Sequence, residues 1–482
     1  MASFNLPSTP LHYAILSLLL LLTWYLTTAL TSWYRLRHIP GPPLASFSYL
    51  YLLRVANSAH QESIYRTINA RYNSRLVRVG PNELLTDDAE RLRRFNPYQE
   101  TMFTTTDRRL HDKMKTKTAA AYACREVDLL EPSVDAQVGK AVALLRERYA
   151  SVGKLVDLGS LSSYLTMDVI TAAAFGKPFG HLDADAGVFG FIAQMRDNWP
   201  ILAVTLDVPW IRAVRFSNWF LKLLGPRPTD KSGMGQMMGV AEKHVGERFQ
   251  PNAKPQKDML GSWIKNGLTK QECEAEALFA LVAGSDTTAS TIRVTLLHLI
   301  SNPRIYQTSK TVVRQAVSSG VSSPITAEEA GKLPYLRALV YEGLRIRAPA
   351  TGLYPKTVPP QGDTIDGKFI PGGTAIGMNA PGVLKSTSVF GADADLFRPE
   401  RFLVDDAQRA VMERDVEMAF GYGRYMCAGK PVAFMELYKT FFEFMRNFDF
   451  ELADPVKPWD SWSYNIFVEE NMWVKVTSTE VK

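Results

Sequence analysis

Cys427 stands in the run FGYGRYMCAGKP at 420–431, flanked by Gly421, Gly423 and Gly429. Glycines of this kind let backbone amides come close to a sulfur. Helical spacing is expected over 427–446, so a helix begins at or just beyond the cysteine. A helix N-terminus, with Arg424 and Lys430 at hand, favours a thiolate over a thiol. A thiolate is a nucleophile or a metal ligand. A nucleophile wants a partner base, and the nearest of the seven histidines in the chain is the distant His298. An inert buried cysteine would not account for the three glycines and Phe420 around it.

A second group is AGSDTTAS at 283–290. Ser-Asp-Thr-Thr by itself is a good helix cap. Its flanks, EALFALV and STIRVTLLHLI, are both apolar at helical spacing, which predicts one helix from Glu276 to Ile300, about 37 Å long. Such a helix carries a polar cluster at mid-length, and buried polar groups must be satisfied or used. Asp286 and Arg293 argue against a membrane span there. An acid beside an alcohol, Asp286 and Thr287, can move protons. Glu342 and Arg345 lie three apart on one helix face and can pair, although a lone pair of this kind contributes little. His111 and Lys115 are one helical turn apart. Phosphate motifs fail: Gly421-x-Gly423 lacks the third glycine, and Pro431 follows Gly429-Lys430 where a phosphate loop has Ser or Thr.

The elements that position these residues are mostly helical. Helices are expected near 60–72, 84–95, 107–123, 126–150, 160–176, 272–300, 303–319, 326–330, 333–347 and 427–446. Strands are expected at 75–80, 353–358, 363–378 with a turn at Asp366-Gly367, and 463–477. The strands do not alternate with helices, which excludes a doubly wound nucleotide fold.

With these motifs in place, the chain resembles the cytochrome P450 superfamily. Phe420, Gly423, Cys427 and Gly429 match its haem-binding loop Phe-x-x-Gly-x-Arg-x-Cys-x-Gly, with Tyr425 in the usual arginine position and Arg424 one residue early. The resemblance implies haem b with Cys427 as axial thiolate, and a propionate contact passed to Arg424 or a tyrosine hydroxyl. It implies a structural network of Glu342, Arg345 and Arg401, the last from PERF at 399–402, bracing the cysteine loop. It also implies that Ala283 and Gly284 leave room for dioxygen, that Thr287 hydrogen-bonds it, and that Asp286 relays protons. His111, Lys115 and Lys356 stand where relatives hold the haem propionates. The segments 95–106, 199–221, 350–354 and 463–467 correspond to those lining the substrate pocket. The stretch 429–452 resembles fungal members of secondary metabolism, including those similar to pisatin demethylase. The implied fold is a single large haem-thiolate monooxygenase fold, mainly α with small β-sheets. The implied activity is insertion of one oxygen atom from dioxygen into a lipophilic organic substrate, in secondary-metabolite, including toxin, biosynthesis. Two other readings of a haem thiolate are an isomerase, dehydratase or peroxide user that needs no reductase, and a non-catalytic haem sensor or carrier. The Asp286–Thr287 pair, which neither needs, favours the monooxygenase.

The N-terminus adds a membrane. No Asp, Glu, Lys or Arg occurs from Met1 to Tyr34, and about 20 apolar residues suffice to span a bilayer. An anchor over 1–37, with its helix at about 11–34, is followed by Arg35 and Arg37, which keep the body cytoplasmic. A cleavable signal would want a positive n-region, which is missing. HIPGPP at 38–43 reads as a proline-rich hinge, and 44–482 as the catalytic domain. The expected location is the endoplasmic reticulum membrane, single-pass. Three widely spaced cysteines build neither a disulfide framework nor a zinc site. The excess of 55 basic over 49 acidic residues is too thin for a nucleic-acid partner. Flavin and nicotinamide motifs are missing, so electrons are expected from a separate NADPH-dependent flavoprotein reductase, with cytochrome b5 as a further donor, at a basic face near Arg424 and Lys430.

Overall fold

The structure is a computed structural model that describes residues 10–89, 108–123, 126–127 and 130–479. The expected pocket segment 95–106 and Cys124 lie outside the described residues.

Eight helices organise the molecule: α1 (Pro10–Leu36), α2 (Arg108–Tyr122), α3 (Leu130–Arg148), α4 (Leu158–Phe175), α5 (Phe191–Asp207), α6 (Lys270–Ile300), α7 (Pro334–Ile346) and α8 (Lys430–Asn447). α6 starts early and firmly. Thr269 accepts from the Glu272 amide while the Glu272 carboxylate accepts from the Thr269 amide, a reciprocal cap. At the standard rise its 31 residues run about 46 Å. α4 packs along it, buried on nearly all sides. Their approach is close: a Cβ on Gly284 of α6 would fall 2.9 Å from Ile170 Cγ1 of α4. Val134, Leu165, Ile292, Leu339 and Phe441, from α3, α4, α6, α7 and α8, share one core. Each helix brings an apolar stripe that it can bury only against the others.

The sheets are small. The largest runs Leu76–Arg78, Glu83–Thr86, Ala375–Met378, Lys356–Thr357, its central pair parallel with Leu84 opposite Ile376. Glu83–Thr86 corrects the helix expected over 84–95 at its start. All four of its residues are buried between two partner strands, and a short apolar run does not distinguish a buried strand from a buried helix. The turn at Asp366-Gly367 joins Asp363–Ile365 to Lys368–Ile370 as expected. Sequence spacing missed α5 and the helix Gly233–Arg248. Pro200 interrupts the first, and Gly233, Gly235, Gly239 and Gly246 dilute the second, so tertiary packing overrides weak local propensity. α1 is long and apolar enough to cross a membrane, by length and composition.

Candidate active site

The cysteine loop is built by two backbone reversals that only glycine adopts readily. Gly421 has φ +73° and Gly423 φ +61°. They turn the chain so that the Cys427 amide donates to Phe420 O at 2.7 Å. α8 then starts at Lys430 with Pro431 in its first turn, and the amides of Gly429 and Lys430 donate to the Cys427 sulfur. The Phe420 ring lies 5.5 Å from Phe434 of α8, which lies 5.3 Å from Tyr341 of α7. The Cys427 side chain keeps accessible surface although protein crowds around it. Burial pushes its thiol up, against the two amides and the charge of Lys115. The expected preference for thiolate is thus corrected for the protein alone, because desolvation outweighs the helix end. A metal cation would reverse that balance.

Residues far apart in sequence meet beside this loop. The buried His111 ring lies 4.3 Å from that of Tyr425, and Lys356 Nζ sits 5.1 Å from the same ring centroid. Burial lowers the Lys356 pKa, and no anionic partner faces it among the described residues. A desolvated cation of this kind calls for an anion. Lys430 instead pairs with Glu417 at 2.7 Å, so its charge is committed within the loop and weakens the expected basic face. The Arg424 side chain lies outside the described part of the structure.

On α6, Thr287 donates to Ala283 O at 2.9 Å, and Thr291 and Thr295 repeat that bond on the next two turns. Asp286 accepts from Trp199 Nε1 of α5 at 3.3 Å. Burial pushes its carboxyl up, opposed by Arg293 and Trp199. A Cβ on Gly284 would meet Ile170, so the bare backbone there lets α4 pack against α6. Arg293 is buried against Glu469, Gly159 O and the hydroxyls of Ser162 and Ser163.

Glu342, Arg345 and Arg401 form one buried hydrogen-bonded group. Glu342 and Arg345 are fully buried. Arg345 donates twice to the Glu342 carboxylate, at 2.7 and 2.8 Å, and Arg401 Nε lies 3.0 and 3.1 Å from both its oxygens. The two guanidiniums also bind the carbonyls of Leu384, Ala394, Leu396, Phe390 and Asp393. From the same helix, Tyr341 donates to Glu417, the partner of Lys430, at 2.9 Å. That contact ties α7 to the cysteine loop.

A latch that sequence reasoning missed centres on Asp207, at the end of α5. Its carboxylate accepts from Gln61 at 2.5 Å and Asn465 at 2.8 Å. The Asn465 carbonyl in turn accepts from Thr351, Gly352 and the Tyr354 hydroxyl. Three of the expected pocket segments are thereby fastened together. Tyr354 holds φ +37° in that latch, a conformation disfavoured for a tyrosine. No local pattern signals it, because its members are hundreds of residues apart.

A mainly helical body with a glycine-turned cysteine loop at the start of one helix and a long central helix carrying an acid–alcohol pair is the class of fold and site found here. The Cytochrome P450 family model matches residues 90–471, and the chain belongs to that family. It is 50% identical over 471 residues to cytochrome P450 monooxygenase aba1 of Botryotinia fuckeliana, with 92% of each chain covered. It is 44% identical to cytochrome P450 monooxygenase abl1 of Leptosphaeria maculans, covering 92% of this chain and 83% of that one. Cytochrome P450 monooxygenase ABA1 of Pyricularia oryzae is 42% identical over 95% and 96% of the two chains. The haem domain of cytochrome P450DA superposes with a TM-score of 0.74 at 16% identity, covering 92% of this chain and 98% of that one, and shares the fold. The chain is thus a monooxygenase of the oxidoreductase class, with haem b on a cysteine thiolate as cofactor.

Proposed function

We propose that the chain is a membrane-anchored monooxygenase of fungal secondary metabolism that oxidises a lipophilic organic substrate, with Cys427 as the haem ligand. The observation that carries this reading is that Lys356, a cation with no anionic partner among the described residues, and the ring of His111 both meet Tyr425, two residues before Cys427 in the loop that leads into α8. The residues fit the group: one sulfur for the iron, a cation for a propionate, and flat side chains beside them. When bound, the haem activates dioxygen, placing one atom in the substrate and releasing the other as water.

The chain's own residues do the rest. Gly429 and Lys430 amides hold the sulfur, and Lys356, His111 and Lys115 hold the carboxylate edge. Asp286, whose carboxyl burial pushes up, holds a proton and passes it toward the Thr287 hydroxyl. α5 covers the site, fixed at one point by Trp199 and at its end by Asp207, and excludes water. Electrons come from a separate NADPH-dependent flavoprotein reductase, with α1 holding the protein in the endoplasmic reticulum membrane beside it.

The test is the absorption spectrum of the reduced, carbon monoxide-treated protein beside that of Cys427→Ala. A strongly red-shifted Soret band in wild type and none in the variant is expected. A variant that keeps the band overturns the assignment. Product formation that needs NADPH and reductase, and is not replaced by peroxide, separates the monooxygenase from a peroxide user.

A further inference from the structure

Pro40, Gly41 and their neighbours have the composition of a loose connector, yet the structure pins them. Ile39 and Leu36 are buried. The Arg78 amide donates to Pro40 O at 2.8 Å. A Cβ on Gly41 would lie 2.2 Å from Arg78 O, so only glycine permits this approach. His38 Nε2 is 2.7 Å from Phe369 O. The Arg78 side chain reaches the other way, into the end of α1. Fully buried, it donates to Ser32 O at 3.0 Å, Trp33 O at 3.4 Å, Ser46 O at 3.2 Å, Gly80 O at 3.1 Å and Pro81 O at 2.6 Å. Trp33 is one of the last four residues of α1, whose carbonyls lack helical partners, Ser32 comes just before it, and the dipole at this end favours a cation.

Further contacts fix the angle. Arg35 donates to Gly372 O at 3.0 Å, the Trp33 and Phe47 rings stack at 6.2 Å, and the Tyr25 hydroxyl donates to Phe47 O at 3.2 Å. Tyr25 lies about 16 Å along the axis from Leu36, so α1 is held along its flank as well as at its tip. Leu44, Phe47 and Leu50 on that flank point apolar surface outward.

We propose that residues 38–43 are a clamp and not a hinge. Arg78 binds the terminal carbonyls of α1, so that α1 and the body form one rigid unit whose face carrying Leu44, Phe47 and Leu50 meets the lipid. The inference rests on the reading of α1 as a membrane anchor for its lipid part alone, since the clamp is a contact within the chain. A helix of 27 residues is about 40 Å long against a hydrocarbon core of about 30 Å, so the clamped turn emerges close to the bilayer surface. A body held there cannot tumble on a tether, and one face stays against the lipid.

Hydrogen exchange of the full-length haem protein in phosphatidylcholine vesicles and in detergent tests the clamp. Amides of residues 36–48 in wild type are expected to exchange far more slowly than an unstructured peptide, and Arg78→Gln to accelerate them about tenfold or more with the Soret band retained. Wild-type exchange at the unstructured rate, or a folded Arg78→Gln protein with unchanged exchange, overturns the proposal. Should Arg78→Gln not hold haem, the wild-type rate decides by itself. Brominated phosphatidylcholine tests the lipid face: Leu50→Trp is expected to add emission that the lipid quenches, and added emission that stays unquenched overturns that part. Failure of the wild-type protein to co-sediment with vesicles removes the anchor reading, while exchange in detergent still judges the clamp.

Discussion

Lys356 illustrates how a single side chain reports a missing counter-charge. Its amine is drawn down by burial and rests against the Tyr425 ring. Lys356→Met removes that cation without opening a gap. The variant is expected to lose haem several-fold faster to an acceptor apoprotein, measured from Soret decay, while Lys356→Arg holds it. Asp286 and Thr287 are tested differently, because their work is with protons. General acid or base groups contribute at least about 100-fold, so Asp286→Asn is expected to slow product formation by about that factor. Thr287→Ala is expected to divert reducing equivalents from product to peroxide, read as peroxide released per NADPH consumed. Trp199→Phe removes a hydrogen-bond donor from the Asp286 carboxyl, and its turnover should change its pH dependence more than its maximum.

At the scale of elements, α7 is the brace of the site. Its Glu342 carboxylate is shared by two buried guanidiniums; removing the charge takes from Arg345 its carboxylate partner in the core, while Arg401 keeps Asp393. Breaking a buried pair by one partner costs about 3–5 kcal/mol. Glu342→Gln is therefore expected to lower the urea midpoint strongly, and the haem band should fade in the same transition. Gly343, next along, faces α6: a Cβ there would fall 1.9 Å from Thr295 Oγ1. Gly343→Ala should cost about 1–3 kcal/mol by overpacking, measured in the same experiment.

Across the whole molecule, buried carboxyls shape the pH dependence of stability. Glu436 of α8 is buried, one of its oxygens has no hydrogen-bond partner among the described residues, and burial pushes its carboxyl up to about 8. A folded-state value above the ordinary 4.5 means that the stability it contributes is present in acid and lost as pH rises toward and through 8. Glu436→Gln removes that slope. Its melting temperature is expected to match wild type near pH 5 and to exceed it near pH 9, by calorimetry of the haem-loaded protein. A wild-type curve that gains on the variant with rising pH would contradict the sign.

Much of the molecule is local in origin, and that part was readable from the chain. The positions of α6, α7 and α8 follow from apolar periodicity. The cysteine loop follows from glycine spacing, and the Glu342–Arg345 pair from helical geometry. Residue types and spacing alone also set out the chemistry on offer: one cysteine at a helix start, an acid–alcohol pair, and an uncharged apolar N-terminus. Only the tertiary structure decided which side chains share a space. Burial raised Cys427 and Asp286, Gly284 turned to Ile170, Lys430 was spent on Glu417, and Asp207 became a latch for three segments. The proline run is pinned because the Arg78 amide, far along the chain, donates to Pro40 O. Such outcomes depend on long-range packing and desolvation, which no local pattern of residue types encodes.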